Sequence, residues 1–183
     1  MVIREMSREE CLQVLAEAGL ARLACAFENQ PYVVPVYLAY HQSADGEPYL
    51  YGFTTLGQKV EWMRANPLVC VEVDEVHTND QWVSVVVSGH YEELPTAPAP
   101  NVGRPPLFQT IDKHEESPSA PALGSEQLFA HQLLQSRAMW WEPAATARAA
   151  SAHRHAADPF IPIFYKVRID QVTGHEATRK PAE

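Results

Sequence analysis

The stretch that decides the fold class is Leu68-Val69-Cys70-Val71-Glu72-Val73-Asp74. Valines recur at every second position, so one face of an extended chain is uniformly apolar there. Residues 82–91 form a second long run that is rich in valine and is interrupted only at Gly89. Both runs therefore predict strands.

The same signals predict four further strands and a set of short helices around this pair. The strands are predicted at residues 20–27, 32–40, 49–54 and 160–172. Helices are predicted at residues 8–18, where Ser7 and Glu10 have capping-box spacing, at 58–66, at 126–137 with Ser125 as its cap, and at 144–157, which is rich in alanine. Six strands with mostly short connections favour an antiparallel barrel over a doubly wound sheet.

Length and composition are typical of one globular domain, with 183 residues of which 46% are hydrophobic. We expect a single domain over residues 1–183 with a proline-rich insertion at about residues 95–126. The cysteines at positions 11, 25 and 70 are far apart, which indicates reduced core residues. No leader-like or membrane-spanning apolar run occurs, so we expect a cytoplasmic protein without a membrane partner.

The formal net charge of −9 disfavours nucleic acid as a partner. An anionic ligand would therefore need a site where positive charge is concentrated locally. Between Arg22 and Arg104 the only cations are Lys59 and Arg64, and both fall in one predicted helix. That helix is therefore where an anion site is expected.

The candidate anion site is Gly52-Phe53-Thr54-Thr55-Leu56-Gly57-Gln58-Lys59. It is not a P-loop, because Gln58 separates Gly57 from Lys59 and Val60 stands where a hydroxyl would hold magnesium. Two hydroxyl residues, a glycine, a lysine and a helix N-terminus nevertheless converge, which predicts a phosphate cradle. The alternative is that Thr54 only caps the helix and Lys59 is a solvated surface lysine.

Pro35 is an unusual residue inside the predicted strand at 32–40. Proline has no N–H to donate to a neighbouring strand. The strand is therefore predicted to be bulged, or open to a ligand, at this point.

Four stretches resemble, in order and spacing, the pyridoxamine 5′-phosphate oxidase-like proteins, and most closely their nitroimidazole-resistance-type branch. They are residues 32–37, 50–59, 63–74 and 82–89. The resemblance implies a mainly β, six-stranded antiparallel split barrel with short peripheral helices, which forms a homodimer and binds FMN at the subunit interface. It covers residues 5–94 and loosely the last strand, and it does not cover the proline-rich insertion.

The resemblance also implies which residues contact the cofactor. Thr54, Thr55 and Lys59 would hold the FMN phosphate, with Gln58 and Arg64 nearby. The isoalloxazine ring would lie along Val34, Pro35, Val36 and Tyr37. Trp82 and Ser84 would contact the ring or the ribityl chain, and Trp140 and Trp141 would approach the ring from the partner subunit. Ordinary packing is the alternative for the tryptophans.

The function implied is that of an FMN-dependent oxidoreductase acting on a small molecule. Phe53 stands where some members of the branch place a histidine, and the basic C-terminal residues of true pyridoxamine phosphate oxidases have no match here. Vitamin B6 oxidation is therefore not predicted, and no catalytic side chain is identified. The alternative is a non-catalytic flavin- or haem-binding carrier or sensor.

A metal site is not predicted. His153 and His155, followed by Asp158, form the most metal-like pattern in the chain. They lie in an alanine-rich stretch with helical or loose character, where side chains two positions apart diverge.

Overall fold

The computed structural model describes residues 1–96, 124–136 and 162–179. These ranges form one antiparallel sheet of eight strands with three helices. In chain order the elements are β1 (Val2–Glu5), α1 (Arg8–Glu17), β2 (Leu20–Phe27), β3 (Gln30–Tyr37), β4 (Ala39–Gln42), β5 (Pro48–Thr54), α2 (Gln58–Ala65), β6 (Leu68–Thr78), β7 (Gln81–Glu93), α3 (Ser125–Gln135) and β8 (Ile163–Thr178).

The sheet is curled into an open barrel. Its strand order is β3-β2-β6-β7-β8-β5-β4, with β1 added on β8. The two end strands, β3 and β4, are joined through the single residue Leu38: the chain pairs with β2 before this residue and with β5 after it. A split therefore remains between β3 and the C-terminal end of β5, which confirms the predicted mainly antiparallel split-barrel class.

The predicted count of six strands is wrong, because the described residues alone form eight. β1 was missed because all four of its residues are exposed, so it has no alternation of buried and exposed positions. The run at residues 32–40 is two strands, since the chain changes its pairing partner at Leu38. The final strand extends to Thr178, because its C-terminal half pairs with both β7 and β1.

Pro35 causes no bulge. The register between β2 and β3 is uninterrupted and places Arg22 opposite Pro35. The predicted bulge is therefore wrong, and proline is tolerated because β3 lies at an edge of the sheet, where one side needs no donors. The β2–β3 hairpin closes on Glu28 and Asn29, whose φ angles of 49° and 63° fit a two-residue type I′ turn.

Local signals start two of the helices. The predicted capping box of α1 is confirmed: Ser7 Oγ accepts from Glu10 N at 3.3 Å, and Glu10 Oε2 accepts from Ser7 N at 2.7 Å. The cap of α3 is Gly124 and not Ser125, because Gln127 Oε1 accepts from Gly124 N at 3.3 Å and Ser125 is the first helical residue. The predicted insertion ends at about residue 126, so its last residues lie inside α3.

The hydrophobic core has two parts. The first fills the barrel and is closed by α1; its fully buried members include Leu23, Val71, Val87 and Val167. The second lies outside the barrel, between α3 and the sheet, and we call it the α3 cluster. Its members are Tyr37, Ala39, Tyr51, Leu94, Ala130, Leu134 and Phe164.

The cysteines behave as predicted. Cys11 and Cys25 are buried, Cys70 is partly buried, and all three are free thiols. Burial is the main cause that raises the pKa of each thiol, which keeps these groups protonated and unreactive.

Candidate functional site

The predicted cradle lies where β5 ends and α2 begins. Gly57 is the cap of α2, since its carbonyl accepts from Val60 N at 2.9 Å and from Glu61 N at 3.1 Å. Thr54 does not cap the helix, because its hydroxyl donates to Thr55 O at 3.3 Å. The alternative interpretation of Thr54 as a helix cap is therefore wrong.

The N-terminus of α2 is open to a ligand. No side chain caps it, and a Cβ built on Gly57 meets nothing within 4 Å. The first N–H groups of a helix lack intrahelical acceptors and carry a partial positive charge. Together with two threonine hydroxyls and Lys59, they form a donor set that fits a phosphate group.

Lys59 lies against the barrel. It is partly buried, and its positive charge opposes the rise in the pKa of the Cys25 thiol that burial causes. Lys59 therefore stands near β2 as well as at the start of α2. The interpretation of Lys59 as a solvated surface lysine stays open beside that of a phosphate ligand.

Arg64 is directed away from the cradle. Its Nε donates to Glu93 Oε1 at 2.6 Å and its Nη2 donates to Glu93 Oε2 at 3.0 Å, a two-pronged ion pair. Arg64 also lies six residues after Gln58, about 9 Å along the helix axis. The structure thus places Arg64 with Glu93 and does not bring it to the predicted phosphate position.

The Arg64–Glu93 pair predicts a loss of stability in acid. The hydrogen bond from Arg64 is the largest cause that lowers the pKa of Glu93 below its ordinary value of 4.5. A lowered pKa stabilises the folded state above the ordinary value, and this contribution disappears as the pH falls through the lowered value. We expect Glu93→Gln to be less stable than the wild type at neutral pH, with a gap that closes in acid.

Urea unfolding of both proteins at neutral and acidic pH measures this gap. Glu28→Gln is the matched control, because it removes an exposed carboxylate from the β2–β3 turn. A gap between wild type and Glu93→Gln that does not change with pH contradicts the assignment.

The four predicted ring-contacting residues of β3 lie beside the cradle. β3 and β5 are neighbours across the split. If the register that pairs Ala39 with Tyr51 continued, Val36 would lie opposite Thr54. Val36 is buried in the barrel, Val34 is partly buried, Tyr37 is buried in the α3 cluster, and Pro35 is exposed. The structure thus brings this stretch and the cradle together in one chain.

Trp82 and Ser84 lie far from the cradle and from residues 34–37 of the same chain. Successive cross-strand pairs connect Pro35 to Arg22, Glu72 and then Val86 on β7, so all of them share the outer face of the sheet. Three strand spacings separate β3 from β7, which is about 14 Å. Trp82 lies a further four residues along β7, so it is farther still from Pro35 in the same chain.

One residue near the site was missed from the sequence. Arg22 lies opposite Pro35 on the same face and pairs with Glu72 Oε2 at 2.9 Å and with Asp74. No local signal could identify this neighbour, because only the register of β2 against β3 places it there.

Several predictions concern residues outside the described ranges. These are Trp140, Trp141, the alanine-rich helix at residues 144–157, most of the proline-rich insertion, and His153, His155 and Asp158. Within the described ranges, no three His, Cys, Asp or Glu side chains are grouped as a metal site would require. No helix in those ranges is long and apolar enough to span a bilayer.

Comparisons with known proteins agree with this architecture. The family model described as pyridoxamine 5′-phosphate oxidase matches residues 7–121. An uncharacterised protein of Rhizobium meliloti is 37% identical over 183 residues, covering 97% of each chain. The crystal structure of a FAD-binding protein from Mesorhizobium loti is 35% identical, with a TM-score of 0.58 over 97% of this chain and 100% of that one.

A more distant structure shares the fold. It is a putative pyridoxamine 5′-phosphate oxidase from Corynebacterium glutamicum, 17% identical, with a TM-score of 0.61 over 97% of this chain and 100% of that one. The family match covers more than half of the chain and the two closer relatives extend over nearly all of it. This chain therefore belongs to the pyridoxamine 5′-phosphate oxidase family.

Proposed function

We propose that this protein binds a flavin nucleotide in the split between β3 and β5. The observation that carries the proposal is the position of an uncapped helix start, with Thr54, Thr55 and Lys59, beside the edge strand that contains Pro35. The similarity to the Mesorhizobium loti protein, which is described as FAD-binding, supports the same cofactor class.

Each part of the site would have a separate task. Thr54, Thr55, Gln58 and Lys59 would hold the phosphate with hydroxyl, amide, ammonium and backbone N–H donors. Backbone groups of residues 34–37 would orient the polar edge of the ring. A bound flavin supplies hydride or electron transfer, so the protein itself needs no acid or base for that step.

The flavin could be FMN or FAD. The family resemblance favours FMN, whereas the Mesorhizobium loti relative is described as FAD-binding. Both cofactors share the ring, the ribityl chain and the first phosphate, and the proposed contacts are made to these shared parts. Mass spectrometry of the released cofactor distinguishes the two.

We also propose that the flavin lies at a homodimer interface. The outer face of β2, β3, β6 and β7 exposes apolar side chains that a single chain leaves uncovered; they are Leu20, Val33, Val76 and Val86. Trp82 and Ser84 share this face. A second copy packed here would cover the apolar side chains and bring Trp82 within reach of the partner's flavin.

The reaction we propose is oxidation or reduction of a small molecule. Placement in the nitroimidazole-resistance-type branch stays a prediction, as do the contacts of Trp140 and Trp141. A carrier or sensor that binds flavin or haem without turnover is the alternative.

The absorption spectrum of the purified protein tests the proposal. We expect the two bands of an oxidised isoalloxazine, their bleaching by a reduced nicotinamide, and reoxidation by an electron acceptor. A Soret band in place of the flavin bands would overturn the flavin proposal. Flavin bands that no acceptor panel can turn over would support the carrier.

A further inference from the structure

The helix α3 packs on the outer face of the sheet, next to the proposed flavin site. The α3 cluster contains Tyr37, the last residue of the ring-contacting stretch, and Phe53 packs against the same cluster immediately before Thr54. Ala130 and Leu134 of α3 complete the cluster and are fully buried. Through this cluster, α3 packs on β5 and is linked to Tyr37 at the end of β3.

Three different contacts hold α3 in this position. Gln127, which is buried, donates from Nε2 to Leu94 O at 3.1 Å. Lys166 on β8 donates to Glu126 Oε1 at 2.7 Å. Phe129 packs edge-on against His41 and Tyr51, with ring centroids 4.8 Å and 5.5 Å apart. A polar, an ionic and an aromatic contact together determine where the helix docks.

The split needs a support of this kind. β3 and β5 are not paired with each other, so no ladder of hydrogen bonds sets their separation beyond Leu38. The family match ends at residue 121, so α3 belongs to the part of the chain outside it. The helix that would support the split therefore lies in the C-terminal third of the chain.

We propose that α3 is a positioning element that sets the distance between residues 34–37 and the cradle and thereby determines how tightly the flavin is held. The inference rests on the flavin proposal. A flavin that spans two unpaired strands binds tightly only when their separation is fixed beforehand, because otherwise binding must order them.

Ala130→Glu tests this proposal, because Ala130 is 0% exposed and has no room for a carboxylate. The substitution should displace α3 and raise the flavin dissociation constant about tenfold. Leu128→Glu, at a position that is 47% exposed on the same helix, adds the same charge without displacing the helix and should leave binding unchanged. Ala130→Ser should also bind as the wild type does.

Hydrogen exchange on the flavin-free proteins gives a readout that does not depend on the cofactor. In Ala130→Glu we expect faster exchange in α3, in residues 34–37 and in residues 54–59, with β6 and β7 still protected. If α3 exchanges faster while those two segments and flavin binding do not change, α3 only packs and the proposal is overturned.

Two further outcomes are separable. If β6 and β7 also lose protection, Leu134→Ala provides a milder displacement, and the same two criteria decide. If the wild type binds no flavin, the flavin proposal fails, whereas the exchange pattern still shows whether α3 supports the split.

Discussion

Replacing Gly89 with alanine is expected to destabilise the protein by about 3 kcal/mol or more. A Cβ at this buried position would lie 2.2 Å from the backbone oxygen of Arg168 and 2.9 Å from Val167 Cγ1. Gly89 also stands where the β7–β8 register shifts. Relieving this contact requires the backbone of β8 to shift, which disturbs the β7–β8 pairing, the longest in the sheet. Urea unfolding measures the loss.

Gly57→Ala is the matched control for this substitution. Nothing lies within 4 Å of a Cβ built on Gly57, and its φ of 166° is ordinary extended backbone. We expect a cost below about 1 kcal/mol, from the change of helix cap alone. Equal losses of stability in the two variants would show that steric contact at Gly89 is not the cause.

Lys59→Ala should weaken flavin binding between about tenfold and a hundredfold, because a charge-assisted contact to phosphate contributes about 1.5–3 kcal/mol. Lys59 is the cation at the start of α2, and Arg64 on the same helix is held by Glu93. The affinity is measured by titrating FMN and FAD separately into flavin-free protein and following the isoalloxazine fluorescence.

Arg8→Ala is the charge-matched control for Lys59→Ala. It removes one exposed positive charge from the first turn of α1, which lies outside the cradle. We expect unchanged binding in this variant and partial recovery in Lys59→Arg. Undiminished flavin retention in Lys59→Ala would refute the phosphate assignment while leaving the ring-binding stretch to be tested alone.

Much of the fold could be predicted from local patterns. The alternation of valines at 69, 71 and 73 places them inside the barrel, and all three are buried. The capping box at Ser7 and the helix starting at Gln58 also follow from nearby residues. β1 could not be predicted in this way, because its exposed residues pair with a strand at least 170 positions away in the sequence.

The residues of the candidate site also differ in whether local sequence or distant pairing places them. Thr54, Thr55, Gln58 and Lys59 are close in the chain, so a local motif was enough to group them. Arg64 was grouped with them because of its positive charge, yet its partner is Glu93 on β7. Arg22 went unnoticed for the opposite reason, since only the pairing of β2 with β3 places it opposite Pro35.

By itself, the sequence determined most of the strands and helices, the helix start beside two threonines and a lysine, and the presence of a proline inside a strand. The tertiary structure alone decided that β3 and β4 end the sheet at Leu38, that a split opens beside the cradle, and that Tyr37 and Phe53 share one hydrophobic cluster with α3. The physical reason is that periodicity reports which face of an element is buried, whereas register and curvature depend on partners far away in the chain.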